Sequence, residues 1–411
     1  MTVVLCVYLD CTTGPHDLNL LLVGCAVLSP LLLALPQCRR FIPRTDIPVA
    51  LFILLLSISA ILLHKDSFRW QTIALSWALA FYYAMCVRLQ TADQTSPEQF
   101  LRLLRAIVYA YAATMCIQQL CVIADIPVFN SITSYGNNRW KLNALGPDTP
   151  VMSQTLGVIM VAYGGISILH NRKATLFADI RRYPLLWIAF CWCLFSTDNA
   201  SAYVVFPVTL LPWYKQRYLP WVSLGVVVCA GIFLLAAPGL ESHKHYRRLR
   251  DVGVATLTLD EQQIIKADTS MSARVATTLA VARDMNPADR SFWTGHGTDA
   301  DTRLIQSKYP DISCFVVEGP QIIRAWYNYG FFVWLALEAM VVAICLVPRK
   351  PLTWLFALMA VAQTGHYNCP MMWLILLLAT QYRIYSSGMP KGQHIAADDV
   401  NNTAITQYGE E

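Results

Sequence analysis

Three short polar segments of this chain hold the residue types that can grip a phosphate or move a proton. The first, Asn138–Pro150 (NRWKLNALGPDTP), sets Arg139, Trp140 and Lys141 shortly before an apolar run. The second begins with Ser272–Met285 (SARVATTLAVARDM), led by Arg274, and continues into Phe292–Asp301 (FWTGHGTDAD). The third, Val317–Gly330 (VEGPQIIRAWYNYG), carries Glu318 and Arg324. Arginine is permanently charged and presents a planar fork that binds phosphate oxygens in pairs. Gly295 and Gly297 permit a tight turn and the close approach of a ligand. His296 between them is a candidate proton carrier, and Glu318 is a candidate base.

Each residue also has a plainer reading. Arg139, Trp140 and Lys141 are the types that anchor a helix at a membrane interface. Arg274 can be a solvated helix-end arginine, and His296 a surface histidine. Arg324 can snorkel from a helix end, or pair with Glu318 and merely fix the loop.

The elements that must position these residues follow from hydropathy. The Ser272–Met285 stretch reads as a helix with Val275, Leu279 and Ala282 on one apolar face. Arg274 falls in its first turn, and Asn286–Pro287 ends it. On either side of the region Gly239–Ala325, apolar segments recur. A bilayer core of about 30 Å needs roughly 20 apolar residues per helix. Candidate spans lie at 18–35, 48–63, 70–88, 106–124, 151–169, 184–196, 203–213, 219–237, 326–347, 352–366 and 371–385. Met1–Cys11 supplies a twelfth if it crosses. The 411 residues are 56% hydrophobic and only 14% charged, with a mean hydropathy of +0.43, which points to a polytopic membrane protein. The expected fold is all-α, with eleven or twelve transmembrane helices and one large external loop. Residues 1–237 and 326–385 form the membrane blocks, 238–325 a partly helical loop, and 386–411 a polar tail expected to be disordered.

Orientation comes from Lys and Arg in the short connections. One set holds sixteen, from Arg39, Arg40 and Arg44 through Arg88, Arg102 and Arg105 to Arg383 and Lys391; the other holds only Lys65, Arg69, Arg139 and Lys141. The richer side is assigned to the cytoplasm, which places the large loop outside. That loop carries eleven basic and eleven acidic residues, so it is no simple basic surface, and a net charge of +5 gives no case for nucleic acid. Most of the thirteen cysteines lie inside apolar runs, where a thiol acts as a small hydrophobe. Cys11, Cys314 and Cys369 are the ones placed outside, where two of them can pair. No paired CxxC motif appears, the DxD within Phe292–Asp301 is not by itself a convincing case for a metal, and Met1–Leu9 lacks the basic start of a signal peptide.

In this order and on this topology, the three polar segments resemble the O-antigen polymerase and O-antigen ligase superfamily. Arg139, Gly146 and Pro150 are similar to its first motif, with a longer Arg–Gly spacing. Arg274 with Gly295 and Gly297 resembles the second, and Glu318 with Gly330 the third. Two departures stand out: "STDNASAY" (196–203) lacks the arginine of the family's Ser–Arg pair, and Glu318–Gly319 stands where the ligases carry His–Asn. The missing histidine favours the polymerase over the ligase.

The resemblance implies a GT-C-like membrane glycosyltransferase in the bacterial inner membrane, with its active site facing the periplasm. The implied donor and acceptor are polyprenyl-diphosphate-linked oligosaccharides. Membrane lipids, a chain-length regulator and a flippase are the implied partners, with no cofactor and no metal. Arg139, Lys141, Arg274, Arg324, Gly295 and Gly297 would bind the diphosphate and substrate, with Glu318 as first and His296 as second candidate base. A transporter or flippase is the rival reading; it calls for ionisable residues inside spans, of which Glu338 is the clearest.

Overall fold

The computed structural model describes residues 20–63, 70–92, 95–129, 140, 142–146, 149–196, 201–214, 225, 228, 244–267, 269–309, 320–348, 350–362 and 370–388. Among them there is no strand. α1 (Leu20–Leu28) runs into two 3-10 turns, and α2 (Pro43–Ser57) into a π-helical stretch, Ile58–Leu63. α3 (Trp70–Ala92), α4 (Pro97–Ile123) and α5 (Thr149–His170) follow. Next come α6 (Leu176–Arg182), α7 (Pro184–Phe195) and α8 (Ser201–Leu210). The polar region folds into α9 (Lys244–Thr258), α10 (Glu261–Ala267), α11 (Thr269–Asp284), α12 (Arg290–Thr294), α13 (Ala300–Lys308) and α14 (Gln321–Tyr329). α15 (Phe331–Cys345), α16 (Pro351–Ala362) and α17 (Pro370–Gly388) complete the described chain.

Local sequence explains several starts. Pro43, Pro97 and Pro184 open α2, α4 and α7, where the missing N–H costs nothing and φ is already helical. Ser96 and Gln99 form a reciprocal capping box ahead of α4. Four helices are long and apolar enough to cross a membrane by length and composition: Pro43–Leu63, Ile73–Ala92, Pro97–Ile123 and Thr149–His170. Val23–Ala34, Pro184–Phe195, Ser201–Trp213, Phe331–Cys345 and Pro351–Ala362 are apolar but shorter. The chain is thus a helical membrane protein in which, among the described residues, four helices of spanning length are mixed with shorter apolar ones. Most of the 219–237 run lies outside the described residues, as do Met1–Cys11, the 391–411 tail and Cys11, Cys314 and Cys369.

The core is built around α5 and α17. Gly157 and Gly165 of α5 leave no room for a Cβ against Val205 of α8 and Leu352 of α16. Small residues let helix backbones approach closely, which is how helices associate where lipid removes the hydrophobic incentive. α17 is buried from Met371 to Ala379 without a break; it packs on α3, α5, α15 and α16. A helix apolar all round is an enclosed one.

The two ends of the bundle differ in chemistry. At one end Arg44 Nε donates to Ala343 O and Arg383 Nη1 to Ile344 O, each at 2.8 Å, covering the last carbonyls of α15. Arg88 sits at that same end, bridging Cys38 O at 2.7 Å and Asp46 Oδ2 at 2.9 Å. All three arginines belong to the set assigned to the cytoplasm. The polar region joins the bundle at the other end, where α15 begins. An aromatic cluster marks that boundary: Trp326 stacks on Trp334 at 4.5 Å, and Trp293 lies 5.3 Å from Phe331.

Candidate functional site

One continuous helix expected over 326–347 is instead two, α14 and α15, broken at Gly330. Gly330 has φ 89°, a conformation that favours glycine. The break leaves the carbonyls ending α14 without helical partners, and the Gly295–Gly297 turn supplies the donors. His296 N donates to Tyr327 O at 2.9 Å and Gly297 N to Asn328 O at 2.8 Å. The backbones touch: a Cβ on Gly295 would stand 2.6 Å from Gly330 N. Gly295 and Gly330 are therefore needed for space as well as for positive φ. Ser59, in the π-helical stretch after α2, ties this junction to the bundle through Oγ, 3.0 Å from Tyr329 O and 3.4 Å from Thr294 O.

His296 lies in this junction, half-buried and stacked on Tyr327 with ring centroids 4.1 Å apart. Its Nδ1 is 3.2 Å from Tyr327 O. A carbonyl can only accept, so Nδ1 is the donor in this contact, and in the neutral ring that makes Nε2 the acceptor. Tyr327 in turn donates its hydroxyl to Asp284 Oδ2 at 2.6 Å. Burial, and secondarily the Asp284 carboxylate, push the Tyr327 phenol well above its usual range. It therefore remains a donor at neutral pH.

Arg324 is one turn before Tyr327 on α14, on the same face. Its Nε donates to Asp301 Oδ2 at 2.5 Å, and Asp301 is fully buried. Asn328 holds the other side of Asp301: Asn328 Nδ2 donates to Oδ1 and Asp301 N to Asn328 Oδ1, both at 3.0 Å. Among the described residues Asp301 is the partner of Arg324; Glu318, its candidate partner in the sequence, lies outside them. The pairing uses Nε, so no described residue engages the two terminal nitrogens of the fork. Asp301 is the residue that sequence reasoning missed. It stood inside the quoted Gly–His–Gly segment, but nothing local pointed it at an arginine 23 positions later.

The helix expected over Ser272–Met285 begins at Thr269, so Arg274 falls in its second turn rather than its first. Among its described side chains Ala276, Thr277, Ala280 and Val281 are buried, while Ala282 is exposed. The face is rotated because α11 packs on two sides, against α10 and against α13 and α14. Val281 sits with Ala300 and Tyr327 in one small core. The Arg274 side chain lies outside the described residues, as do Glu318, Arg139 and Lys141. Next to the last two, Leu142–Gly146 is held by Gln118 of α4, whose Oε1 accepts from Ala144 N at 2.8 Å. Gln118 lies toward the end of α4 remote from Tyr385, which reaches Thr95 O at 3.0 Å. This places the segment at the same end of the bundle as Gly330. Among the described residues no group of three or more His, Cys, Asp or Glu is placed to hold a metal.

No family model matches this sequence, and no curated protein matches it either. Function has to be read from the residues and their geometry.

Proposed function

We propose that this chain polymerises polyprenyl-diphosphate-linked oligosaccharide repeat units by glycosyl transfer at the outer face of a bacterial inner membrane. In this reading the apolar helices make eleven or twelve passes, the 238–325 region is periplasmic, and the architecture is GT-C-like. The observation that carries it is the docking of the Gly295–Gly297 turn on the α14–α15 break. That contact seats His296, whose Nε2 has no partner among the described residues, on the helix that carries Arg324, whose terminal nitrogens no described residue engages. Both sit at the bundle end opposite Arg44 and Arg383.

The acceptor hydroxyl oxygen forms a bond to the donor's anomeric carbon while its proton passes to His296 Nε2. Glu318 is the other candidate for that proton. The anomeric C–O bond breaks, and its electron pair leaves with the polyprenyl diphosphate. Cations already in place stabilise the departing charge without reorganising. Arg324 is that cation here, with Arg274, Arg139 and Lys141 as further ones.

His296→Asn tests the assignment, because an amide nitrogen can still donate to Tyr327 O but offers no basic nitrogen. With purified protein and lipid-linked repeat units, turnover is expected to fall about 10²- to 10⁴-fold, with donor binding retained. Undiminished turnover removes His296 from the chemistry. In a deletion strain, carrier-linked single units fit a polymerase, whereas full-length carrier-linked polymer fits the ligase. Glu338, midway along α15, is the observation favouring a transporter. Purified chain that moves lipid-linked units across vesicles without lengthening them would establish that reading.

A further inference from the structure

Two arginines crowd one tyrosine at the end of the bundle opposite the Gly295–Gly297 turn. Arg105 lies about two turns into α4, with its Cζ 4.1 Å from the centroid of the Tyr183 ring. Arg182, the last residue of α6, places its Cζ 5.3 Å from the same centroid. One guanidinium beside a ring is a favourable cation–π contact, but two beside one ring repel each other. Asp179, one turn before Tyr183, is a carboxylate close enough to act on both. It is 6% exposed, and its two oxygens accept from the Tyr163 hydroxyl and from Trp187 Nε1, each at 2.9 Å. Among the described residues no carboxylate forms an ion pair with Arg105 or Arg182, and the neighbouring Glu98 is taken by Arg102. Two cations therefore share one shielded anion. Both can be reached from outside, since Arg182 is exposed and Arg105 half-buried.

The pair stands at the level of a lipid headgroup. α4 begins beside Tyr385, whose hydroxyl donates to Thr95 O at 3.0 Å, so the pair lies toward the end that carries Arg44 and Arg383. Around Asp179 the aromatic residues Tyr163, Trp187 and Trp213 gather, with Trp213 6.5 Å from Tyr163 and 6.4 Å from Trp187. Such amphipathic rings collect where membrane meets water. From this level an apolar strip descends along α7: Leu185 is 69% exposed, Ile188 63% and Trp192 49%. Their spacing of three and four puts them on one face of the helix. A free phosphate could use only the guanidiniums. A phospholipid uses the guanidiniums and the strip together.

We infer that Arg105 and Arg182 bind the phosphate of one anionic phospholipid of the cytoplasmic leaflet, of the phosphatidylglycerol type, with an acyl chain along Leu185, Ile188 and Trp192. The phosphodiester supplies the missing negative charge, and its two free oxygens accept from guanidinium N–H groups. Phosphatidylcholine and phosphatidylethanolamine carry the same phosphate, but each brings an ammonium against the two arginines. The inference rests on the membrane placement of α4 and α7 and is independent of the glycosyl-transfer reading.

Native mass spectrometry of the full chain, delipidated in mild detergent and offered lipids with identical acyl chains, tests it. One phosphatidylglycerol should be retained about ten- to a hundredfold more tightly than phosphatidylcholine, the range for a hydrogen bond to a charged group. Arg105→Gln together with Arg182→Gln should bring the two lipids level. Arg182→Glu alone, at an exposed position, should do the same and serves if the double variant folds poorly. Arg172→Gln removes a charge from the same connection eleven residues before Tyr183, and should leave the preference intact. Equal retention of the two lipids by the unaltered chain would overturn the headgroup assignment. An undiminished preference in a folded Arg105 and Arg182 variant, or an equal loss in Arg172→Gln, would overturn the site. Displacement of the lipid by inorganic phosphate at matching concentration would make this a phosphate site and overturn the lipid.

Discussion

Replacing Gly330 by alanine should detach the Gly295–Gly297 turn from the membrane helices without unfolding them. Two effects add. A residue with a side chain at φ 89° and ψ 171° occupies a region that is nearly glycine-only, at a strain of about 1–3 kcal/mol. The new Cβ also meets backbone rather than a flexible side-chain end, at Thr294 C (2.5 Å) and Gly295 N (2.7 Å), so the turn must back away. Backing away loses the bonds from His296 N and Gly297 N, about 0.5–1.5 kcal/mol each. The sum is about 2–6 kcal/mol, localised at one junction. At about 1.4 kcal/mol per tenfold, amide exchange at His296 and Gly297 should accelerate at least ~30-fold. Exchange in the middle of α5 and α17 should not change. Hydrogen exchange read by mass spectrometry on the reconstituted chain measures both. Gly24→Ala is the matched control, since a Cβ there meets nothing within 4 Å. Wild-type protection at residues 295–298 in Gly330→Ala would refute the clamp and the site built on it.

Arg324→Gln strips the buried Asp301 of its cation and should destabilise the loop region by about 3–5 kcal/mol; adding Asp301→Asn should recover part of that loss in thermal unfolding. Equal losses in the single and double variants would show that the pair is not the support. Ser59→Ala removes the 3.0 Å contact with Tyr329 O and should lower stability by about 0.5–1.5 kcal/mol in thermal unfolding. Reporter fusions at Thr269 and Gly392 should give opposite signals if the polar region is outside and the tail inside; matching signals would refute that orientation.

Sequence by itself determined the helical membrane class, because hydropathy is a sum over neighbouring residues and needs no partner. It placed a helix start at 184, where the Pro184 ring fixes φ within its own residue, though it began the 106–124 span nine residues after the Pro97 that opens α4. It also singled out Gly295 and Gly297, whose conformational range is intrinsic. Only the tertiary structure decided where the apolar run after Ala325 breaks. The break at Gly330 is held open by donors from a turn more than thirty positions earlier. Likewise the choice of Asp301 for Arg324, and the seating of Ser59 on a junction 270 positions away, depend on which elements pack together. The central place of α17 belongs to the same class. A lipid-facing helix and an enclosed one read alike in hydropathy, since hydrocarbon and protein interior are both apolar, and only the neighbours distinguish them.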